Sequence, residues 1–243
     1  MLKPEPTAGD TSWFVRDRFG MFIHWGLYAL PSRHEWVQSR EMITPQDYYE
    51  RYFTRFDPYQ YDPYKWAVAA REAGMKYVVI TSKHHEGFCL WDSDFTDYKV
   101  TNTPYGKDLL VPFVEAFRAE GLRVGFYYSL IDWHHPEFPI DIIHPLRDHP
   151  DAEKMNESRN IQIYADYLHN QVEELLTRFD PAILWCDFSY PDRDYKGFPG
   201  KGRDDWQSKK LLKTIRRISP KIILNNRLDL PAAADIYTPE QVQ

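Results

Sequence analysis

Polar side chains follow several short apolar segments of this 243-residue chain, at the positions where buried strands would end. The clearest segment is Ile183–Asp187, in which an apolar run stops at a carboxylate. A run without polar residues is typical of a strand that is covered on both faces. Asp187 is therefore predicted to stand at the carboxyl end of a buried strand, either as a catalytic residue or as the cap of the next turn.

Four more strand-like segments end in polar groups. The groups that follow them are His24-Trp25, Lys83-His84-His85-Glu86, Tyr127-Tyr128-Ser129 and Asn225-Asn226-Arg227. Because the carboxyl ends of parallel strands meet at one edge of a sheet, we expect these groups to converge near Asp187. Polar groups that converge at one rim predict a binding or catalytic site.

One chemistry that fits these residue types is a metal centre. Imidazole and carboxylate groups are ordinary zinc ligands, and the candidate set is His24, His84, His85 and Asp187. However, no His-x-His or His-x-x-x-His pair occurs at a strand end or on a predicted helix. The sequence therefore predicts no metal and no other cofactor.

The other chemistry is glycoside hydrolysis, which needs an ionised carboxylate and a carboxylic acid with a raised pKa on either side of one bond. Asp187 suits the first role. The candidates for the second carboxyl group are Glu35, Glu86, Glu137 and Glu240. Imidazole and guanidinium groups that bind hydroxyls, together with tryptophan rings that stack on a sugar, fit this role without an ion.

Helical patterns separate the strands. Thr44-Pro45 and Asp62-Pro63 each combine a capping side chain with proline at the first helical position. Glycines end two helices, and a long amphipathic pattern over 157–179 precedes the Asp187 strand. The alternation of helices and strands predicts a parallel α/β sheet with right-handed crossovers.

The number of strands limits the architecture. Five patterns are clear, over residues 19–24, 76–81, 123–129, 183–187 and 221–225, and a sixth over 235–238 is weaker. A closed (β/α)₈ barrel needs eight strands. We therefore expect residues 1–243 to form one catalytic domain of the (β/α)₈ type that is short of its last strands. Those strands would belong to residues absent here or to another molecule, or the sheet would close in some other way. Open strand edges would favour self-association.

Composition excludes several classes of protein. The formal net charge of -6, with a pI near 5.8 and no long basic run, argues against a nucleic-acid partner. No apolar segment reaches the ~20 residues of a membrane span, and the first residues lack the pattern of a signal peptide. The expected location is the cytoplasm, or the periplasm or exterior if a leader was removed. Cys89 and Cys186 give no disulfide framework.

Several motifs together resemble those of the alpha-L-fucosidases of glycoside hydrolase family 29. They are Phe19-Gly-Met-Phe-Ile-His-Trp-Gly26, Glu35-Trp36, Lys76-Tyr-Val-Val-Ile-Thr-Ser-Lys-His-His-Glu-Gly-Phe88, Gly125-Phe-Tyr-Tyr-Ser129 and Leu184-Trp-Cys-Asp187. The resemblance runs from about Trp13 to the last residue. It implies a retaining exo-enzyme without a cofactor, built on a (β/α)₈ barrel that a β-sandwich follows in typical members but not here. The implied partner is a fucosylated oligosaccharide or glycoconjugate.

The resemblance also implies roles for single residues. The family's nucleophile falls on Asp187, and an acid/base in an Asp-aromatic-x-Thr-x-Glu segment falls on Glu240. The family's fucose-binding positions fall on His24, Glu35, Trp36, His84, His85, Tyr128, Trp185 and Arg227. Tyr128 is preferred to its neighbour Tyr127 for the tyrosine position.

Two other classes of function compete with this one. The chain could be a fucose-binding module or an inactive fragment of such an enzyme, which would bind the sugar without turnover. It could also be a retaining glycosidase for a related sugar such as a galactoside, or an endo-acting enzyme on fucose-containing polysaccharide. A comparison of aryl glycosides would separate these activities.

Overall fold

The computed structural model describes residues 7–239, in which eight α-helices and seven strands occur. The strands are β1 (Gly20–Ile23), β2 (Tyr77–Lys83), β3 (Arg123–Ser129), β4 (Ile183–Asp187), β5 (Asp194–Tyr195), β6 (Phe198–Pro199) and β7 (Ile223–Leu224). The helices are α1 (Ser12–Asp17), α2 (Val37–Arg40), α3 (Pro45–Tyr52), α4 (Pro63–Glu72), α5 (Leu110–Ala119), α6 (Ala152–Asn156), α7 (Ile161–Phe179) and α8 (Ser208–Ile218). None of the helices in this range has the length and hydropathy that a membrane crossing requires.

Five strands form one parallel sheet in the order β1, β2, β3, β4, β7. The register places Tyr127 opposite Trp185 and Ser129 opposite Asp187. The prediction of an α/β fold with a parallel sheet is confirmed. The weak sixth strand is reduced to a single parallel bridge between Asn225 and Ile236. In the loop after β4, β5 and β6 form a short antiparallel hairpin.

Local capping explains where the predicted helices begin and end. Thr44 Oγ1 accepts a hydrogen bond from the backbone N–H of Asp47 at 3.1 Å, and proline follows the cap as the first helical residue. Asp62 caps α4 in the same way. Gly74, with φ of +87°, ends the same helix because a left-handed residue cannot continue it.

The two faces of the sheet are covered differently. Side chains of α4, α5, α7 and α8 pack on the outer face, where Val78, Phe126 and Leu184 are fully buried. The inner face carries a smaller cluster of Val79, Tyr127, Ile183 and Ile223, against which Trp13 of α1 packs. Phe22, also on this face, contacts Tyr127 and Trp185 and remains 44% exposed. Successive strand residues alternate between the two faces.

A buried carboxylate ties the beginning of the described chain to its end. Asp235 Oδ1 accepts a hydrogen bond from the backbone N–H of Gly9 at 2.8 Å. Asp235 Oδ2 accepts from the backbone N–H of Leu224 at 2.8 Å and from the Arg216 guanidinium at 2.6 Å. The segment before α1, the last strand and α8 are therefore joined at one side chain.

Candidate functional site

The carboxyl ends of β1, β2 and β4 bring three imidazoles and a carboxylate to one edge of the sheet. The ring centroids of His24 and His84 lie 4.8 Å apart, and those of His84 and His85 lie 4.0 Å apart. His85 Nε2 is 3.9 Å from Asp187 Oδ2. The four groups thus form a continuous row, as the convergence of parallel strand ends predicts.

Asp187 is the last residue of β4 and is held through both carboxylate oxygens. The Tyr127 hydroxyl donates a hydrogen bond to Oδ2 at 2.7 Å, and Arg227 Nη1 lies 3.5 Å from Oδ1. The Asp187 side chain is 16% exposed, so it remains accessible from the rim. A hydrogen-bond donor and a cation beside a carboxylate stabilise its charged form and fix its orientation.

The tyrosine of this site is Tyr127, whereas the sequence favoured Tyr128. Burial and the neighbouring Asp187 raise the pKa of Tyr127 well above its ordinary value, so its hydroxyl keeps its proton and can donate. Tyr128 points to the opposite face, where its hydroxyl donates to Gln171 Oε1 of α7 at 2.9 Å. The preference for Tyr128 is corrected on this point, because adjacent residues of a strand face opposite sides.

The two adjacent histidines are held as neutral rings. Burial lowers the pKa of His84 to about 3, and burial together with the nearby His84, His24 and Lys83 lowers the pKa of His85 well below its ordinary value. His85 Nδ1 is 2.8 Å from the hydroxyl of Ser129 at the end of β3. Neutral imidazoles in this position act as hydrogen-bonding groups rather than as cations.

His24 and Glu35 line an open cavity beside the histidine row. The volume of this cavity is about 420 Å³, and Tyr28 and Arg33 also contribute to its wall. The Tyr28 hydroxyl lies 2.7 Å from His24 Nδ1. The negative charge of Glu35 acts on His84, so the predicted Glu35 is part of this group of side chains.

Aromatic rings form a wall next to His85 and Asp187. The ring of Trp36 lies 4.8 Å from that of His85 and 5.4 Å from that of Phe188. Trp185 stands two residues before Asp187, on the same face of β4. The structure therefore brings both predicted tryptophans to the rim, where flat rings can pack against the apolar face of a sugar.

Arg227 connects Asp187 to the last described residues. Its Nε donates a hydrogen bond to Thr238 Oγ1 at 2.8 Å, while its Nη1 faces Asp187. Thr238 is also bound to Asn226 through its backbone N–H and its hydroxyl. Glu240, the predicted acid/base, lies outside the described residues.

The sequence does not predict which residues hold the imidazoles, although one of the three, Glu86, is a candidate second carboxyl group. Each histidine of the row has its Nδ1 next to a side-chain oxygen, supplied by Tyr28, Glu86 or Ser129. Two of these oxygens belong to the motifs that identify the strand ends, and Tyr28 follows His24 at the spacing of one helical turn. Glu137, another candidate carboxyl group, instead accepts a hydrogen bond from the backbone N–H of Asn160 at the surface.

The geometry gives no support to the metal alternative within the range 7–239. In that range, no group of three or more His, Cys, Asp or Glu side chains is arranged to hold an ion. What the site can do chemically is to present the accessible carboxylate of Asp187, together with Glu35, neutral imidazoles and aromatic rings. That combination suits covalent attack on a polar, hydroxyl-rich substrate.

Several solved structures are similar to this chain. Alpha-L-fucosidase isoenzyme 1 from Paenibacillus thiaminolyticus is 52% identical, with a TM-score of 0.83, over 90% of this chain and 50% of that chain. A family 29 alpha-L-fucosidase from Bacteroides thetaiotaomicron, solved as a trapped covalent intermediate with 2-fluoro-fucosyl fluoride, is 31% identical. Its TM-score is 0.76, and the match covers 93% of this chain and 51% of that chain.

Sequence comparisons give the same result. Plasma alpha-L-fucosidase from Homo sapiens is 30% identical over 193 residues, which are 72% of this chain and 39% of that protein. The chain thus spans about half, or less, of the length of the relatives described here. The family model described as Alpha-L-fucosidase matches residues 6–243. Since that match covers nearly all of the sequence, the chain belongs to the alpha-L-fucosidase family.

Proposed function

We propose that this chain hydrolyses terminal alpha-L-fucosyl residues of oligosaccharides or glycoconjugates, with retention of the anomeric configuration. The observation that carries the proposal is the setting of Asp187. Its carboxylate ends a buried strand, is oriented by Tyr127 and Arg227, and keeps 16% of its side chain exposed. A carboxylate with these properties can approach a bound sugar without losing the partners that stabilise its charge.

Asp187 acts as the nucleophile in this mechanism. It attacks the anomeric carbon and forms a fucosyl-enzyme ester while the leaving oxygen is protonated, and water then releases fucose. The covalent intermediate trapped in the Bacteroides thetaiotaomicron relative supports a mechanism that passes through an ester.

Glu240 is the proposed acid/base. The proposal rests on the segment Asp235-Ile-Tyr-Thr-Pro-Glu240 and on the contact between Arg227 and Thr238 two residues earlier. Because Arg227 also faces Asp187, this contact supports a position for the segment close to the nucleophile. In retaining enzymes the two carboxyl groups lie about 5–5.5 Å apart.

The remaining rim residues would bind the sugar. His24, His84, His85 and Glu35 offer hydrogen bonds to its hydroxyls, and Trp36 and Trp185 offer flat surfaces to its apolar face. A site that hydrogen-bonds a hydroxyl strongly rejects an analogue that lacks it. Selectivity for fucose over its epimers would therefore reside in the imidazoles and Glu35.

We also infer that the five-stranded sheet is part of a (β/α)₈ barrel. The strands are parallel and follow each other in chain order, and α4, α5, α7 and α8 all cover the outer face. The inner face, with Phe22 half-exposed, would become the barrel interior once further strands close it.

Azide rescue tests the proposed nucleophile most directly. The parent chain should release p-nitrophenol from p-nitrophenyl alpha-L-fucoside, and Asp187→Gly should lose nearly all of this activity. Added azide should restore release and yield beta-L-fucosyl azide, since azide then attacks the face that Asp187 has vacated. Azide added to the parent chain is the control, and proton NMR of the first sugar formed should show alpha-fucose.

Other outcomes would change the assignment. Beta-fucose as the first product would show an inverting enzyme and remove Asp187 as nucleophile. Fucose binding without turnover would favour the binding module or inactive fragment. Faster turnover of an aryl galactoside than of the fucoside would assign the site to a related sugar.

A further inference from the structure

A second carboxyl group lies behind the histidine row and has no part in the proposed reaction. Glu86 follows His84 and His85 at the end of β2 and is 2% exposed. Its Oε2 lies 3.1 Å from His84 Nδ1. Its Oε1 is buried and has no hydrogen-bond partner among residues 7–239. A Cβ atom at Gly26 would stand 3.0 Å from this oxygen, so the glycine leaves it just enough room.

The surroundings of Glu86 favour the protonated acid. Burial raises its pKa to about 8, and the nearby charges of Lys83 and His24 only partly oppose that effect. The titratable groups that interact with Glu86 come from several elements and are His24, Tyr28, Tyr48, Tyr98, Tyr127, Asp132 and Lys83. His84 is not itself charged near neutral pH, because burial lowers its pKa to about 3.

These facts limit how Glu86 and His84 can share a hydrogen bond. A protonated Glu86 donates its O–H to Nδ1, and the proton on neutral His84 must then sit on Nε2. An ionised Glu86 can only accept, so the imidazole proton must sit on Nδ1. In residues 7–239 the only hydrogen-bond partner of the His84 ring is at Nδ1, which leaves Nε2 for a ligand in the row.

We propose that Glu86 is a positioning residue that fixes the ring and the tautomer of His84, and so decides whether Nε2 offers the sugar a donor or an acceptor. The description of the ligand as a sugar rests on the proposed function, whereas the coupling of the two side chains does not. When the pair loses one proton to solvent, the carboxyl proton moves to Nδ1 and Nε2 is left unprotonated. The donor at Nε2 thereby becomes an acceptor.

Nitrogen NMR of labelled histidine tests the coupling without any substrate. Protonated and unprotonated ring nitrogens differ widely in ¹⁵N shift, and His84→Asn identifies the His84 signals among the nine histidines. Between pH 6 and pH 9.5, the protonated nitrogen of His84 should change from Nε2 to Nδ1, with a midpoint near pH 8. Glu86→Gln should abolish this change because an amide does not titrate. Glu115→Gln, an exposed control on α5, should preserve it.

Kinetics then link the tautomer to the sugar. In the parent chain we expect KM for the aryl fucoside to change about 3- to 10-fold as the pH passes 8, with a smaller change in kcat, since one hydrogen bond to the substrate is remade. In Glu86→Gln, KM should not respond to this pH change. If Glu86 were only structural, KM of the parent chain would not change as the pH passes 8, and Glu86→Gln would alter kcat and KM by the same factor at every pH.

The outcomes separate the two proposals. A His84 tautomer that stays constant in the parent chain, or one that still switches in Glu86→Gln, would overturn the role of Glu86 whatever the activity. The parent titration needs no variant, and Glu86→Asp, whose shorter side chain cannot reach Nδ1, offers a second test if Glu86→Gln does not fold. A tautomer switch in a chain without fucosidase activity would support Glu86 and count against the proposed function.

Discussion

Two ion pairs near the carboxyl edge of the sheet have similar lengths but very different surroundings. Lys83 Nζ lies 3.3 Å from Asp132 Oδ2, and the two side chains are 0% and 2% exposed. Arg227 Nη1 lies 3.5 Å from Asp187 Oδ1, and these side chains are 21% and 16% exposed. The amino group of Lys83 also lies 4.5 Å from the ring centroid of Tyr128. The pairs differ in their access to solvent rather than in their geometry.

This difference separates a structural pair from a reactive one. Asp132 also accepts hydrogen bonds from the backbone N–H groups of His134 and His135, so the sealed pair fixes the loop after β3. Trp133, within that loop, packs against Trp36 in the wall of the site. The sealed pair therefore supports the wall, while the open pair at Asp187 can contact a substrate.

The largest expected effect is the loss of turnover in Asp187→Asn. The neutral amide cannot attack the sugar, so kcat for an aryl fucoside should fall by at least about 10³-fold. Stability should change by less than about 1 kcal/mol, because the pair with Arg227 is partly exposed. Initial rates and thermal unfolding measure the two effects, and Asp97→Asn on an exposed loop is the control. An active Asp187→Asn variant would contradict the reactive role.

The converse experiment breaks the sealed pair. Asp132→Asn leaves the charge of Lys83 buried without a counter-ion and should cost about 3–5 kcal/mol of unfolding free energy. Denaturant unfolding measures this loss. Asp166→Asn, which removes the exposed pair with Lys210, should cost less than about 1 kcal/mol. Equal losses in the two variants would show that burial does not distinguish the pairs.

A third prediction concerns the pH dependence of stability, since Glu86 lies near the rim but is buried from solvent. Its pKa is about 8 in the folded protein against an ordinary value of 4.5, so between these values the folded state binds more protons than the unfolded state. Its contribution to stability is therefore present at low pH and is lost as the pH rises from about 4.5 to about 8. Glu86→Gln should gain roughly 4 kcal/mol over the parent between pH 5 and pH 8.5. If the free energies of unfolding of Glu86→Gln and the parent changed equally with pH, Glu86 would not have a raised pKa.

The smallest effects come from the two adjacent tyrosines, which form a matched pair. Tyr127→Phe removes the donor to Asp187 and should lower kcat about 10-fold with little change in stability. Tyr128→Phe leaves Gln171 Oε1 without its donor and should cost about 1–2 kcal/mol with an unchanged rate. Rates and unfolding curves of both variants provide the comparison. A lower rate in Tyr128→Phe and an unchanged rate in Tyr127→Phe would instead place Tyr128 in the site.

Local signals explain why much of the fold could be predicted. The capped start of α4, its glycine end and the β-branched run of β2 are each determined by a few neighbouring residues. Burial could not distinguish Tyr127 from Tyr128, because both faces of β3 are buried in this part of the strand. The β5–β6 hairpin depends on contacts within a long loop, for which the sequence has no periodic signal.

The site was predictable only to the level of strand ends. Because the strands are parallel, His84, His85 and Asp187 lie at the same edge of the sheet for any conformation of the loops. The partners of the imidazoles depend on the path of each loop, so the contacts of Ser129 with His85 and of Glu86 with His84 could not be predicted. Glu240 as acid/base, the cellular location and self-association remain predictions.

The hydrogen bonds of Asp235 have a consequence for folding kinetics. The contact with Gly9 spans 226 residues, so a very long loop must close before it can form. We expect it to appear after the local helices and strands, near the end of folding. Once formed, it makes the Gly9 and Leu224 amides depend on one side chain, and hydrogen exchange at both should follow a single opening event.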